Sequence, residues 1–261
     1  MAVMPSDHVI RPAERFREAI RQAAALIEQT PGRLVTFGIK PTYPAECFGY
    51  IQQGKRIEGP RRDATSAPDA PVHTVARFRE KPPAAVAKEY LAAGDCLWNA
   101  GIFVWKASTI LASLAERQPD CLAHLRRIAA AWDTPDRDRV FAEEFAAIKG
   151  ISIDYAVLEG AKNVAGIAAG DIGWNDVGSW NAVYELHKRD ANGNALRAPA
   201  IVEHSTGTYV DAEGKLVALL GVKDLIVVDT PDALLIADRS RAQEVGELVK
   251  KLEQHGRHDL L

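Results

Sequence analysis

Only three of the 261 residues are cysteine, Cys47, Cys96 and Cys121. Their odd number excludes a complete disulfide framework, and their spacing is not that of a Cys-based metal site, so a reducing, cytoplasmic setting fits. No apolar run approaches the roughly 20 residues needed to cross a bilayer. The opening residues lack the pattern of a signal peptide, so no membrane partner is implied. Basic residues are not in excess: 32 Lys and Arg stand against 35 Asp and Glu, which argues against a nucleic-acid partner, whose footprint is a basic surface. No internal repeat is visible. What is present is an ordinary globular composition, 47% hydrophobic and 26% charged. The chain is long enough for one large α/β domain or a domain with a small appendage.

Strand-like and helix-like segments alternate over residues 1–189. Leu34–Ile39 and Leu97–Trp105 read as buried strands, while Phe16, Ala19, Ile20, Ala23 and Ile27 fall on one face of a helix. Phe48–Ile51 reads as a short strand, and residues 54–71 as a polar surface connection. Ser108 is placed to cap a helix. Residues 120–148 read as helical, interrupted at Thr134-Pro135, with Phe141 and Phe145 turned inward. Residues 190–261 change character to short, closely spaced strands, with Ala212-Glu213-Gly214 as a hairpin turn. The final helix has Val245, Leu248, Val249 and Leu252 on one face and reads as a cover for those strands, begun by a Ser240/Gln243 capping box. A stacking or oligomerisation role suits this region.

Four stretches carry chemistry. In Asp171–Trp180, two Trp and two Gly surround Asp176. Its carboxylate could hold a hard cation such as Mg²⁺, or could cap the next helix in a turn packed by aromatics. Pro5-Ser6-Asp7-His8 follows an apolar strand-like run, the usual place for a ligand site in an α/β sheet. In Phe78-Arg79-Glu80-Lys81-Pro82, Glu80 can accept from sugar hydroxyls and Lys81 suits a phosphate; an exposed ion pair is the plainer alternative. Asn99 is a polar residue inside an apolar run and needs a partner, either backbone or a ligand hydroxyl.

Taken in order, Phe78–Pro82, Trp98–Phe103, Ser152–Glu159 and Gly173–Trp180 resemble the mannose-1-phosphate guanylyltransferases of the short bacterial type, over the whole chain. The resemblance implies a three-layer α/β/α sandwich around a mainly parallel, Rossmann-like sheet, followed by the β-rich part. It implies that Asp7 and Asp176 bind Mg²⁺, that Lys81 contacts the sugar phosphate, and that Gly49, Glu80 and Asn99 hold the hexose. Mannose 1-phosphate would attack the α-phosphorus of GTP, giving GDP-mannose and pyrophosphate. The family's opening strand and Gly-rich loop, of the form Gly-x-Gly-x-Arg-x-x-Pro, are absent here, so the sheet is expected to lack its first strands. Two readings follow: a transferase incomplete at its N-terminus, or an inactive remnant that binds sugar phosphate or serves in assembly.

Overall fold

The computed structural model describes residues 1–58 and 70–260. Contacts divide the chain into two compact units, Met1–Trp174 and Asn175–Leu261. In the first lie β1 (Ala2–Val3), α1 (Ala13–Gln29), β2 (Leu34–Ile39), β3 (Tyr50–Ile57), β4 (Val72–Arg79), α2 (Ala84–Ala93), β5 (Cys96–Val104), α3 (Ala107–Arg117), α4 (Pro119–Ala131), α5 (Arg137–Ala147), α6 (Ile153–Ala156) and β6 (Val164–Ala168). The strand order is β1-β5-β2-β6-β4-β3, and β3 also pairs with β5.

The expectation of a mainly parallel sheet is corrected here. Only β2 and β6 run parallel; every other pairing in this sheet is antiparallel. The reason is connectivity. A parallel pair needs a long crossover, and between β2 and β6 the chain inserts β3, β4 and β5, which return by antiparallel pairing. Side chains alternate across the sheet as the pleat requires. Phe37, Ile102 and Val104 join α1 residues Ala23, Leu26 and Ile27 in one cluster. Leu34, Leu97 and Phe103 face the other way, with Ile110 of α3 and Ala156 of α6. Helices therefore cover both faces.

Three local expectations change. Residues 54–57 complete β3 rather than opening a surface connection, and residues 59–69 of that stretch lie outside the described residues. Lys106, not Ser108, occupies the cap position of α3. Phe141 and Phe145 are exposed, because α5 packs chiefly on α4 and buries none of its own residues.

The second unit holds α7 (Trp180–Leu186), β7 (Ala195–Arg197), β8 (Ala200–Glu203), β9 (Tyr209–Ala212), β10 (Val217–Leu220), β11 (Leu225–Asp229), β12 (Leu234–Asp238) and α8 (Val245–Gln254). β7, β9 and β11 stack in parallel, as do β8 and β10. Ala212-Glu213-Gly214 is therefore no hairpin turn: it passes the chain from one stack to the other, and β9 and β10 do not pair. A coil of this kind contains a repeat, contrary to the sequence reading. Ala200 lies beside Val217 and Tyr209 beside Ile226, an offset of 17 residues in both. Left-handed backbone recurs at the same offset, at His204 and Gly221 (φ +52° and +66°) and at Gly207 and Asp224 (φ +66° and +50°). A column of Ala195, Tyr209 and Ile226, in register and fully buried, forms one cluster with Tyr184 of α7 and Ala242. The cover on that face is thus α7 and the 3₁₀ segment Arg239–Glu244, while α8 buries none of its residues. No Ser240 capping box forms; Asp238 accepts from the Ser240 backbone N–H at 2.8 Å.

Candidate functional site

Strand register assembles the first part of the site. Tyr50 of β3 pairs with Arg79 of β4 on one edge and with Trp98 of β5 on the other. One residue along, Gly49, Glu80 and Asn99 meet, and the Asn99 N–H donates to the Gly49 carbonyl at 2.8 Å. The approach is close: a Cβ at position 49 would lie 2.4 Å from Glu80 Oε2, so any other residue would displace the Glu80 carboxylate. Lys81 follows with a left-handed backbone, φ +44°. For a residue with a long side chain this costs about 1–2 kcal/mol, and such outliers cluster at functional sites.

Asn99 answers the question its burial posed. Its Oδ1 accepts from the buried Thr36 hydroxyl at 2.7 Å, and its Nδ2 donates to Asp154 Oδ1 at 3.0 Å. Each amide atom keeps one further hydrogen-bonding capacity. Glu159 completes the rim by accepting from the Glu80 backbone N–H at 3.0 Å. Burial, reinforced by the nearby Asp154 carboxylate, pushes Glu80 up to about 7, against the weaker pull of Lys81. Burial also raises Asp154, opposed by backbone and Asn99 hydrogen bonds and by Lys81. The result is an acceptor-rich cluster with the Lys81 cation beside it, suited to a polyhydroxylated ligand that carries an anion. Beside it stands an aromatic wall, with Phe48 packed on Trp98 and Trp174 at 5.0 and 5.2 Å between ring centroids.

The two remaining predicted residues occupy different units. Asp7 sits exposed in the turn after β1, next to His8, whose Nδ1 accepts from Trp174 Nε1 at 3.1 Å. Asp176, in the second unit, is half-buried. It does not cap the next helix, because Ser179 Oγ accepts from the Ala182 N–H at 3.2 Å and takes that role. Val177 beside it has φ +52°, a genuine outlier for a β-branched residue. Gly178 leaves space for the Asp176 carboxylate, which a Cβ would meet at 2.3 Å. Among the described residues, no group of three or more His, Cys, Asp or Glu side chains could hold a metal.

Sequence reasoning did not single out Thr36, Asp154 or Glu159 as site residues. For Asp154 a signal existed: it is the one charged residue in the run Ile153–Leu158, at the start of the short helix α6. Thr36 gave none, since a threonine in a buried strand is ordinary.

A mixed α/β unit with a cluster of carboxylates at its strand ends, followed by a parallel β coil, has the layout of a nucleotidyl transferase carrying a β-helix. The family model described as "Nucleotidyl transferase" matches residues 1–193, and that described as "MannoseP isomerase/GMP-like beta-helix domain" matches residues 200–252. The mannose-1-phosphate guanylyltransferase ManC of Salmonella typhimurium is 41% identical over 99% of this chain and 52% of its own length. An Escherichia coli mannose-1-phosphate guanylyltransferase is 40% identical over the same shares. A solved Thermus thermophilus structure, described as a "mannose-1-phosphate geranyltransferase", superposes with a TM-score of 0.77 at 32% identity. That match covers 97% of this chain and 69% of the other. The chain belongs to the mannose-1-phosphate guanylyltransferase family of nucleotidyl transferases. It spans about half the length of the curated relatives it matches.

Proposed function

We propose that the chain binds mannose 1-phosphate at Gly49, Glu80, Lys81 and Asn99 and serves the transfer of the guanylyl group of GTP to it. The observation that carries this reading is the register-built meeting of Gly49, Glu80 and Asn99, with Lys81 held left-handed at its edge. In the reaction a sugar-phosphate oxygen forms a bond to the α-phosphorus of GTP, the α–β phosphoanhydride breaks, and pyrophosphate leaves. No side-chain nucleophile is needed. Two anionic groups must approach each other, so the work of the protein is positioning and charge neutralisation. Lys81 offsets the sugar phosphate, while Glu80, Asn99 and Asp154 orient the hydroxyls.

Mg²⁺ takes oxygen ligands and keeps several waters, so one or two carboxylates suffice. Asp7 and Asp176 each have that chemistry, and we propose each, taken by itself, as a Mg²⁺ ligand. When bound, the ion would neutralise phosphate charge. Three cysteines without a disulfide, and no described helix long and apolar enough to cross a membrane, support a cytoplasmic setting. Calorimetry with mannose 1-phosphate tests the binding assignment, and pyrophosphate release from GTP, mannose 1-phosphate and Mg²⁺ tests the chemistry. Binding is expected in the parent chain and lost in Lys81→Ala; no heat of binding in the parent would overturn the assignment.

A further inference from the structure

The left-handed backbone at Lys81 requires something to hold it, and the site chemistry supplies no such holder. Conformations of this kind persist only where the surroundings over-determine them. The residue immediately before, Glu80, donates its backbone N–H to Glu159 Oε1 at 3.0 Å, from a position 79 residues away in sequence. This contact runs to the backbone, not to the Lys81 ammonium.

Glu159 is itself held. It lies in the single 3₁₀ turn Leu158–Gly160, whose Leu158 is buried in the cluster shared with α3 and β5. At the end of the turn the Gly160 carbonyl accepts from Arg117 Nη2 of α3 at 2.5 Å. Position 160 admits no side chain without displacing that guanidinium, since a Cβ would stand 2.1 Å from Arg117 Nη1. A continuous series of contacts therefore runs from α3 through Gly160 and Glu159 to the turn that carries Lys81.

We infer that Glu159 is a positioning residue that fixes the Glu80–Lys81 turn in its left-handed form, with Arg117 seating Glu159 through Gly160. The consequence for ligand affinity rests on the sugar-phosphate reading above; the consequence for the turn does not.

The test compares Glu159→Ala with Glu159→Gln in the full 261-residue chain, reading amide exchange at Glu80 and calorimetry with mannose 1-phosphate. Glutamine keeps an acceptor, so both readouts should stay within about twofold of the parent, whereas alanine should lose about tenfold in each. Gly160→Ala leaves Glu159 in place but displaces Arg117, so it should lower Glu80 protection in the same direction. It also serves where Glu159→Ala fails to fold. Parent-like protection of Glu80 in Glu159→Ala would overturn the inference, as would equal damage from glutamine and alanine. A parent chain that ignores mannose 1-phosphate would refute the substrate reading, while exchange at Glu80 would still decide the role of Glu159.

Discussion

The two units use the same rare backbone conformation for different ends. In the first, Lys81 is the one described residue other than glycine with positive φ, and it stands among Glu80, Asp154 and Glu159. In the second, His204 and Asp224 are also left-handed, yet each is matched by a glycine 17 residues away at the equivalent corner. Recurrence separates the cases. A left-handed residue whose register partner is also left-handed is turning a coil, and one without such a partner, beside buried carboxylates, is aiming a side chain. Val177, next to Asp176, has no recurring partner and groups with Lys81.

Substituting glycine at each kind of position gives the sharpest test. Lys81→Gly keeps the backbone state and removes the cation, so mannose 1-phosphate affinity should fall about 10- to 100-fold by calorimetry without loss of melting temperature. Undiminished affinity would place Lys81 with the corners. Gly207→Ala reverses the logic. Its φ of +66° and the Asp224 oxygen 2.4 Å from a built Cβ should cost about 2 kcal/mol or more, seen as a lower melting temperature with unchanged affinity.

Glu80 adds a pH dependence confined to the first unit. Its folded value of about 7 lies above the usual 4.5, so the folded state binds the extra proton. The associated stability is full below about pH 4.5 and is lost as pH rises through about 7. The melting temperature of Glu80→Gln should therefore gain on the parent between about pH 5 and about pH 8; parallel profiles would remove Glu80 from the titration. The smallest effect belongs to His204→Gly, which relieves roughly 1 kcal/mol of left-handed cost and should raise the melting temperature slightly without touching affinity.

The sequence exposed the site unevenly. Asn99 was legible as a polar residue inside an apolar run, and Glu80 and Lys81 as an acid and a base set at a strand end before Pro82. Gly49 came only from family resemblance, since its reason is a tertiary approach to Glu80. Glu159 stood only at the end of the Ser152–Glu159 stretch, and its role could not be read, because its contact is to a backbone N–H and a backbone donor leaves no mark on composition. In the fold, near-continuous apolar runs revealed β2 and β5 but not their direction, which depends on what the intervening chain does. The coil was hidden for a different reason: its rungs conserve backbone state more than residue type, so that histidine answers glycine at one corner and glycine answers aspartate at the next.

β12 runs against β11, whereas β7, β9 and β11 all run together. A coil whose last strand continued in the same sense would offer the next molecule a template on which to wind another turn. With β12 reversed on its outer side, β11 has no place there for a further parallel rung, so the repeat seen from β7 to β11 is interrupted at that strand.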